Sequence, residues 1–139
     1  EEVNDLIGRR SMSVLRQNLA RLRRDVADLI ESKPYNRLVL FGASRSLNLF
    51  LDFFDLRRRV DMVVDSDSAK IGKYIHGTST AISSQEGYTP EAGDLIFCSA
   101  WVHTNKIRER VVGAGCDADF LSIFPAVARE SIKRGNYRL

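Results

Sequence analysis

Arg37-Leu38-Val39-Leu40-Phe41-Gly42-Ala43-Ser44-Arg45-Ser46 opens the stretch that decides the fold. An apolar run ends in a small-residue turn. It then passes into Leu47-Asn48-Leu49-Phe50-Leu51-Asp52-Phe53-Phe54, apolar on almost every side. A second run, Val60-Asp61-Met62-Val63-Val64, closes on Asp65. Strand, turn, helix, strand and terminal acid is the order of a nucleotide-binding βαβ unit. The turn offers backbone N–H groups and a helix start to a phosphate. Asp65 stands where such units carry a carboxylate for ribose hydroxyls. Gly42 is the one glycine of the three-glycine fingerprint, so these residues specify the βαβ unit more firmly than any ligand.

Upstream, Met12, Leu15, Leu19, Leu22, Val26 and Leu29 recur at alternating spacings of three and four. That is a helix with one narrow apolar stripe, with Ser11 or Ser13 as its cap. It either docks on its own domain or links or dimerises, since heptad spacing suits a partner helix. Pro34 separates this region, residues 1–33, from an α/β domain over 34–139. The second helix is expected from Ser46 to Leu56. Arg57-Arg58-Arg59 follows it, where cations offset a helix dipole.

Downstream, a short strand is expected near Thr80-Ala81-Ile82, and Ser83-Ser84-Gln85-Glu86 resembles a helix start. Asp94 to Ser99 is apolar without alternation, as a parallel strand buried on both faces is. Thr104 to Val112 reads as a helix closed by Gly113-Ala114-Gly115. Asp119 to Pro125 reads as the last strand and its exit, and Ala126 to Lys133 as a short final helix ended by Gly135. Alternating strands and helices imply a Rossmann-like, doubly wound parallel sheet in a single α/β domain with an N-terminal helix.

The chain has 139 residues, 44% hydrophobic and 28% charged, which suits one soluble domain with its own core. No run approaches the ~20 residues of a membrane span. The first residues, Glu1-Glu2-Val3-Asn4, lack both a signal-peptide pattern and an initiator Met, so the chain reads as trimmed. Net charge is +3. The arginines sit on helices among Asp and Glu with no recognition motif, so nucleic acid is not the expected partner. Cys98 and Cys116 have no CxxC spacing and read as buried reduced thiols of a cytoplasmic protein.

Ligands of open α/β sheets bind beyond the carboxyl ends of the strands. There, Gly42, Ser44, Arg45 and Ser46 are candidate phosphate contacts and Asp65 a candidate ribose acceptor. Trp101 and His103, just after a buried strand, are candidates to line the substrate side. Tight-turn and capping roles remain open for Gly42, Ser46, Asp67 and Ser68. The histidines, His76 and His103, have no ligand-spaced partners, so no metal site is expected. No nucleophile elbow, Walker lysine or paired acid–base carboxylates are present, so no catalytic residue is assigned.

Phe41-Gly42-Ala43-Ser44-Arg45-Ser46-Leu47-Asn48 and the segment Val63 to Thr78, with Lys70-x-Gly72-x-x-x-x-Gly77, resemble a known module. It is the C-terminal domain of sugar C-methyltransferases, which act on nucleotide-linked deoxysugars. Ser99-Ala100-Trp101 and Lys106-Ile107 resemble a later segment of it. Arg45-Ser46, Trp101-Val102 and Lys106 depart from the family pattern. The resemblance implies a domain that binds a nucleotide or nucleotide-sugar. S-adenosylmethionine is expected only in an upstream methyltransferase domain, with no cofactor in this chain and no methyl transfer by it alone. The expected protein partner is that upstream domain or a second copy. A structural or interaction domain with a vestigial site, docking or dimerising through its first helix, is the alternative. A small NAD(P)-dependent reductase is disfavoured for want of a substrate domain.

Overall fold

The structure, a computed structural model, describes residues 2–124 and 126–133, with side chains from Gly8 onward. Its elements are helix α1 (Glu2–Glu31), strand β1 (Arg37–Phe41), helix α2 (Leu47–Phe53), strands β2 (Met62–Asp65), β3 (Ile82–Ser84) and β4 (Asp94–Cys98), helix α3 (Thr104–Gly113), and strands β5 (Ala118–Ser122) and β6 (Ala128–Ile132). A 3-10 turn, Trp101–His103, leads into α3.

The six strands form one sheet in the order β3-β2-β1-β4-β5-β6. Every pair is parallel except β5–β6. β1 is central, pairing Val39 with Met62 on one side and with Ile96 on the other. Strand order therefore reverses between β1 and β4, which sets the ligand crevice of such folds at the carboxyl ends of these strands.

The continuous apolar runs of β1 and β4 exist because both sheet faces are covered. Leu38, Leu40, Leu95 and Phe97 pack with Val26 and Ile30 of α1 and Leu47 and Leu51 of α2. Val39, Phe41, Ile96 and Cys98 point the other way, onto Ile107 and Val111 of α3. Each fully buried side chain of this size contributes about 1.5–3 kcal/mol. That makes these strands the rigid frame on which the loops at their carboxyl ends are held.

Several expected boundaries differ from the structure. Ser11 and Ser13 cap nothing: they lie inside α1, which begins earlier and runs on through Gly8. Helix α2 ends at Phe53, so the arginine triplet stands beyond its last turn. Arg57 instead bonds Asp52 and the carbonyls of His76 and Asn48, while Arg59 reaches Glu31 and Tyr35. Ser83 and Ser84 belong to edge strand β3, not to a helix start. Cys98 is buried, but Cys116 is only half-buried.

The largest difference is at the end of the chain. Ala128–Ile132 is not a helix but an antiparallel strand on β5. Pairing with the edge of β5 buries Ile132 and directs Arg129 across the sheet. Its guanidinium pairs with Asp119 at 2.6 Å and donates to the Leu29, Ile30 and Lys33 carbonyls at the end of α1. Carbonyls at a helix end lack a further turn of N–H donors; Leu29 O also accepts from Ser32, and Arg129 on the antiparallel strand supplies a donor to all three. Pro125 and Gly135 lie outside the described residues.

Candidate functional site

The carboxyl ends of β1, β2 and β4 meet at a turn locked by hydrogen bonds. Gly42 has φ +109, a backbone few side chains tolerate, and Ala100 lies directly against its Cα. Its N–H donates to Val64 O at 2.8 Å. The Ser99 hydroxyl donates to the carbonyls of Phe41 and Gly42. Glycine here lets β1 and the segment after β4 pass in contact.

Asp65, at the end of β2, completes the lock. Oδ2 accepts from the Ala43 N–H at 2.6 Å and from Lys70 Nζ at 3.3 Å, and Oδ1 accepts from the Asp67 N–H at 2.8 Å. Burial pushes this carboxyl up, but the Asp67 and Ala43 N–H groups and the Lys70 ammonium outweigh it and hold it below the usual carboxylate range. Asp65 is therefore ionised at neutral pH, and one Oδ1 lone pair stays uncommitted. Lys70, which also pairs with Asp67, pins the loop after β2 against the strand end. Gly72, in that loop at φ +80, turns the chain so that its N–H reaches Ile82 O.

Over this floor opens a cleft of about 550 Å³. Gly42, Ser44, Asp65, Ser66, Asp67 and Lys70 line one side, with Gln85 and Glu86 after β3. His103, Lys106, Ile107 and Arg110 line the other. The latter fall at helical spacings of three and four, so α3 turns one face to the cleft. Ile107 anchors that face in the core while the cations around it stay exposed. Arg110 donates to Gln85 O at 2.5 Å, tying α3 to the loop after β3.

Of the residues singled out by sequence, Gly42, Ser44, Asp65 and His103 come together in this cleft. Arg45, Ser46 and Trp101 are not among its lining residues. The Ser46 side chain caps nothing and meets the Ser44 hydroxyl at 3.1 Å. Trp101 stacks edge-on with Phe124, and both rings are about half exposed. Lys106, Arg110 and Glu86 were missed, because surface charges on a helix or loop carry no local motif. The spacing of His103, Lys106 and Arg110 was the available signal.

Among the described residues no cluster of His, Cys, Asp and Glu could hold a metal. Nor, among the described residues, is any helix long and apolar enough to cross a membrane.

Sheet order, crossover helices on opposite faces and a cleft at the strand ends define a Rossmann-like α/β domain. Residues 2–125 match the C-methyltransferase C-terminal domain family, and the chain belongs to it. No curated protein sequence matches it.

Proposed function

We propose that this domain is the substrate-holding part of an S-adenosylmethionine-dependent sugar C-methyltransferase and that its cleft takes a nucleotide-sugar. The observation that carries this is the opposition of charge across the cleft. Lys106 and Arg110 on the α3 wall face Asp65, Asp67 and Glu86 on the loop wall, where Lys70 pairs with the two aspartates. A diphosphate suits the first wall, where Lys106 has no ion-pair partner among the described residues. Hydroxyls of a ribose or sugar suit the second, as donors to carboxylates. Gly42 and Ser44 would lie beneath the ligand.

The residues present fit S-adenosylmethionine poorly. The Gly42 and Ala43 N–H groups are spent on Val64 O and Asp65, and no further glycine extends the loop. The cofactor and the base that deprotonates the sugar carbon then belong to another domain, the partner we assign to this one. The isolated chain should transfer no methyl group, since transfer requires both reactants held in one closed site.

A thermal-shift screen of nucleoside diphosphates, nucleotide-sugars, NAD(P) and S-adenosylmethionine tests the assignment. Nucleotide-sugars should raise the melting temperature, and Lys106→Ala should abolish the rise. Stabilisation by S-adenosylmethionine alone would refute it.

A further inference from the structure

Among the residues of α1 whose side chains are described, only those toward its C-terminal end dock on the domain. Val26 and Ile30 are 1% exposed and Leu22 and Leu29 partly buried, but every residue from Gly8 to Arg21 is exposed. At about 1.5 Å per residue, about 20 Å of helix stands clear of the domain. A helical stretch of this length is marginal in water without a packed face.

The free stretch carries the same seam that docks lower down. Met12, Leu15 and Leu19, 51%, 50% and 41% exposed, lead at alternating spacings of three and four into Leu22, Val26 and Leu29. Ser11, Val14, Leu15 and Asn18, with Arg10, line a surface recess along one edge of the seam, which it joins at Leu15. Arg16 and Arg23 flank the seam one heptad apart, on the line begun by Arg9. No acidic residue lies between Gly8 and Arg24.

We propose that this seam is the docking site for an amphipathic helix of a protein partner, apolar at heptad spacing and flanked by carboxylates. The charge selects that occupant. An antiparallel second copy would bring Arg16 and Arg23 against arginines of the same kind, a like-charge juxtaposition, and a parallel one would bring them against the uncharged Ser11 and Asn18, so neither supplies a carboxylate. A lipid surface calls for a broad apolar face, whereas this one is a single stripe bordered on one side by Arg16 and Arg23 and on the other by Ser11 and Asn18. An acidic helix matches both the stripe and its border, and continues a contact that the domain already makes at Leu22. The seam lies on a different element from the cleft, so it stands independently of the nucleotide-sugar assignment.

The test uses the full chain and two synthetic 21-residue helical peptides with leucine at both seam positions, one flanked by Glu and one by Lys. Fluorescence anisotropy should show the Glu-flanked peptide binding at least tenfold more tightly. Arg16→Glu with Arg23→Glu should reverse the preference. Leu15→Ser with Leu19→Ser should weaken binding at least tenfold while the melting temperature, set by the docked end, is unchanged. Equal affinity for both peptides would overturn the proposal. So would a concentration-dependent dimer lost in the Leu15→Ser, Leu19→Ser variant, or binding to phosphatidylserine vesicles without binding to the acidic peptide.

Discussion

Replacing Gly42 with alanine should be among the most damaging single-methyl changes in this domain. The added Cβ would fall 2.5 Å from Ala100 Cβ and 3.0 Å from Ala100 N. The turn has little room to yield, because Gly42 N–H is held by Val64 O and its carbonyl by Ser99 Oγ at 2.6 Å. A side chain at this φ costs about 1–3 kcal/mol, and overpacking another 1–3. Together, about 2–6 kcal/mol is lost from a total of about 5–15. For a domain of this size that lowers the melting temperature by about 8–24 °C. Urea unfolding followed by circular dichroism, with calorimetry beside it, measures both quantities. Gly113→Ala is the matched control. Its Cβ would meet nothing within 4 Å at the last turn of α3. It should gain up to about 1 kcal/mol from helix propensity. A Gly42→Ala protein within about 0.5 kcal/mol of wild type would show that β1 and the β4 turn are not in the contact described.

Arg129→Met keeps the stem but takes the donor from the Ile30 and Lys33 carbonyls, leaves Leu29 O to Ser32, and leaves Asp119 with the Ser131 hydroxyl but without its cation. It should cost about 3 kcal/mol, read by denaturant unfolding, with the largest loss of hydrogen-exchange protection at the end of α1. Asp94→Asn should cost a similar amount, about 3 kcal/mol, since Asp94 binds Arg37 bidentately and accepts the Tyr88 hydroxyl and the Glu91 N–H. Acid should unfold the domain through such groups. Burial raises Asp65 and Asp94, but N–H donors and the Lys70 and Arg37 cations outweigh it and leave both depressed. The unfolded chain then takes up protons first as pH falls. The stability these carboxylates add is complete above the unfolded value of about 3.9 and is lost below it. Asp65→Asn should flatten that acid limb in unfolding measured from pH 6 downward.

The central strands were legible because burial on both faces writes an unbroken apolar run, as in Leu38–Phe41 and Leu95–Cys98. The edge strands were not. Ile82-Ser83-Ser84 is short and half polar, and its strand state comes from pairing with Val63–Asp65 rather than from propensity. Ala128-Arg129-Glu130-Ser131-Ile132 favours helix locally, yet pairing with β5 and the reach of Arg129 to α1 override it. In the site, Gly42 and Asp65 were visible through their place in the βαβ order. Their hydrogen-bonded lock was not, since Ala100 and Ser99 come from about 60 residues away and meet Gly42 only after the sheet closes. Lys106 and Arg110 looked like solvated helix charges until α3 was placed over the strand ends. The Lys70-to-Gly77 segment was recognisable as family-like, and its parts are an ion pair and a turned loop.

The most direct measurement for the cleft is amide chemical-shift mapping of the full chain titrated with a nucleoside diphosphate sugar. The resonances of Ser66, Lys70, Glu86, His103 and Lys106 should move together on one binding isotherm, while those of Met12, Leu15 and Leu19 stay still. Lys106→Ala should weaken that isotherm by about 10- to 100-fold, the loss of one charge-assisted hydrogen bond. Shifts confined to other surfaces, or none at millimolar ligand, would contradict a nucleotide-sugar site at the strand ends.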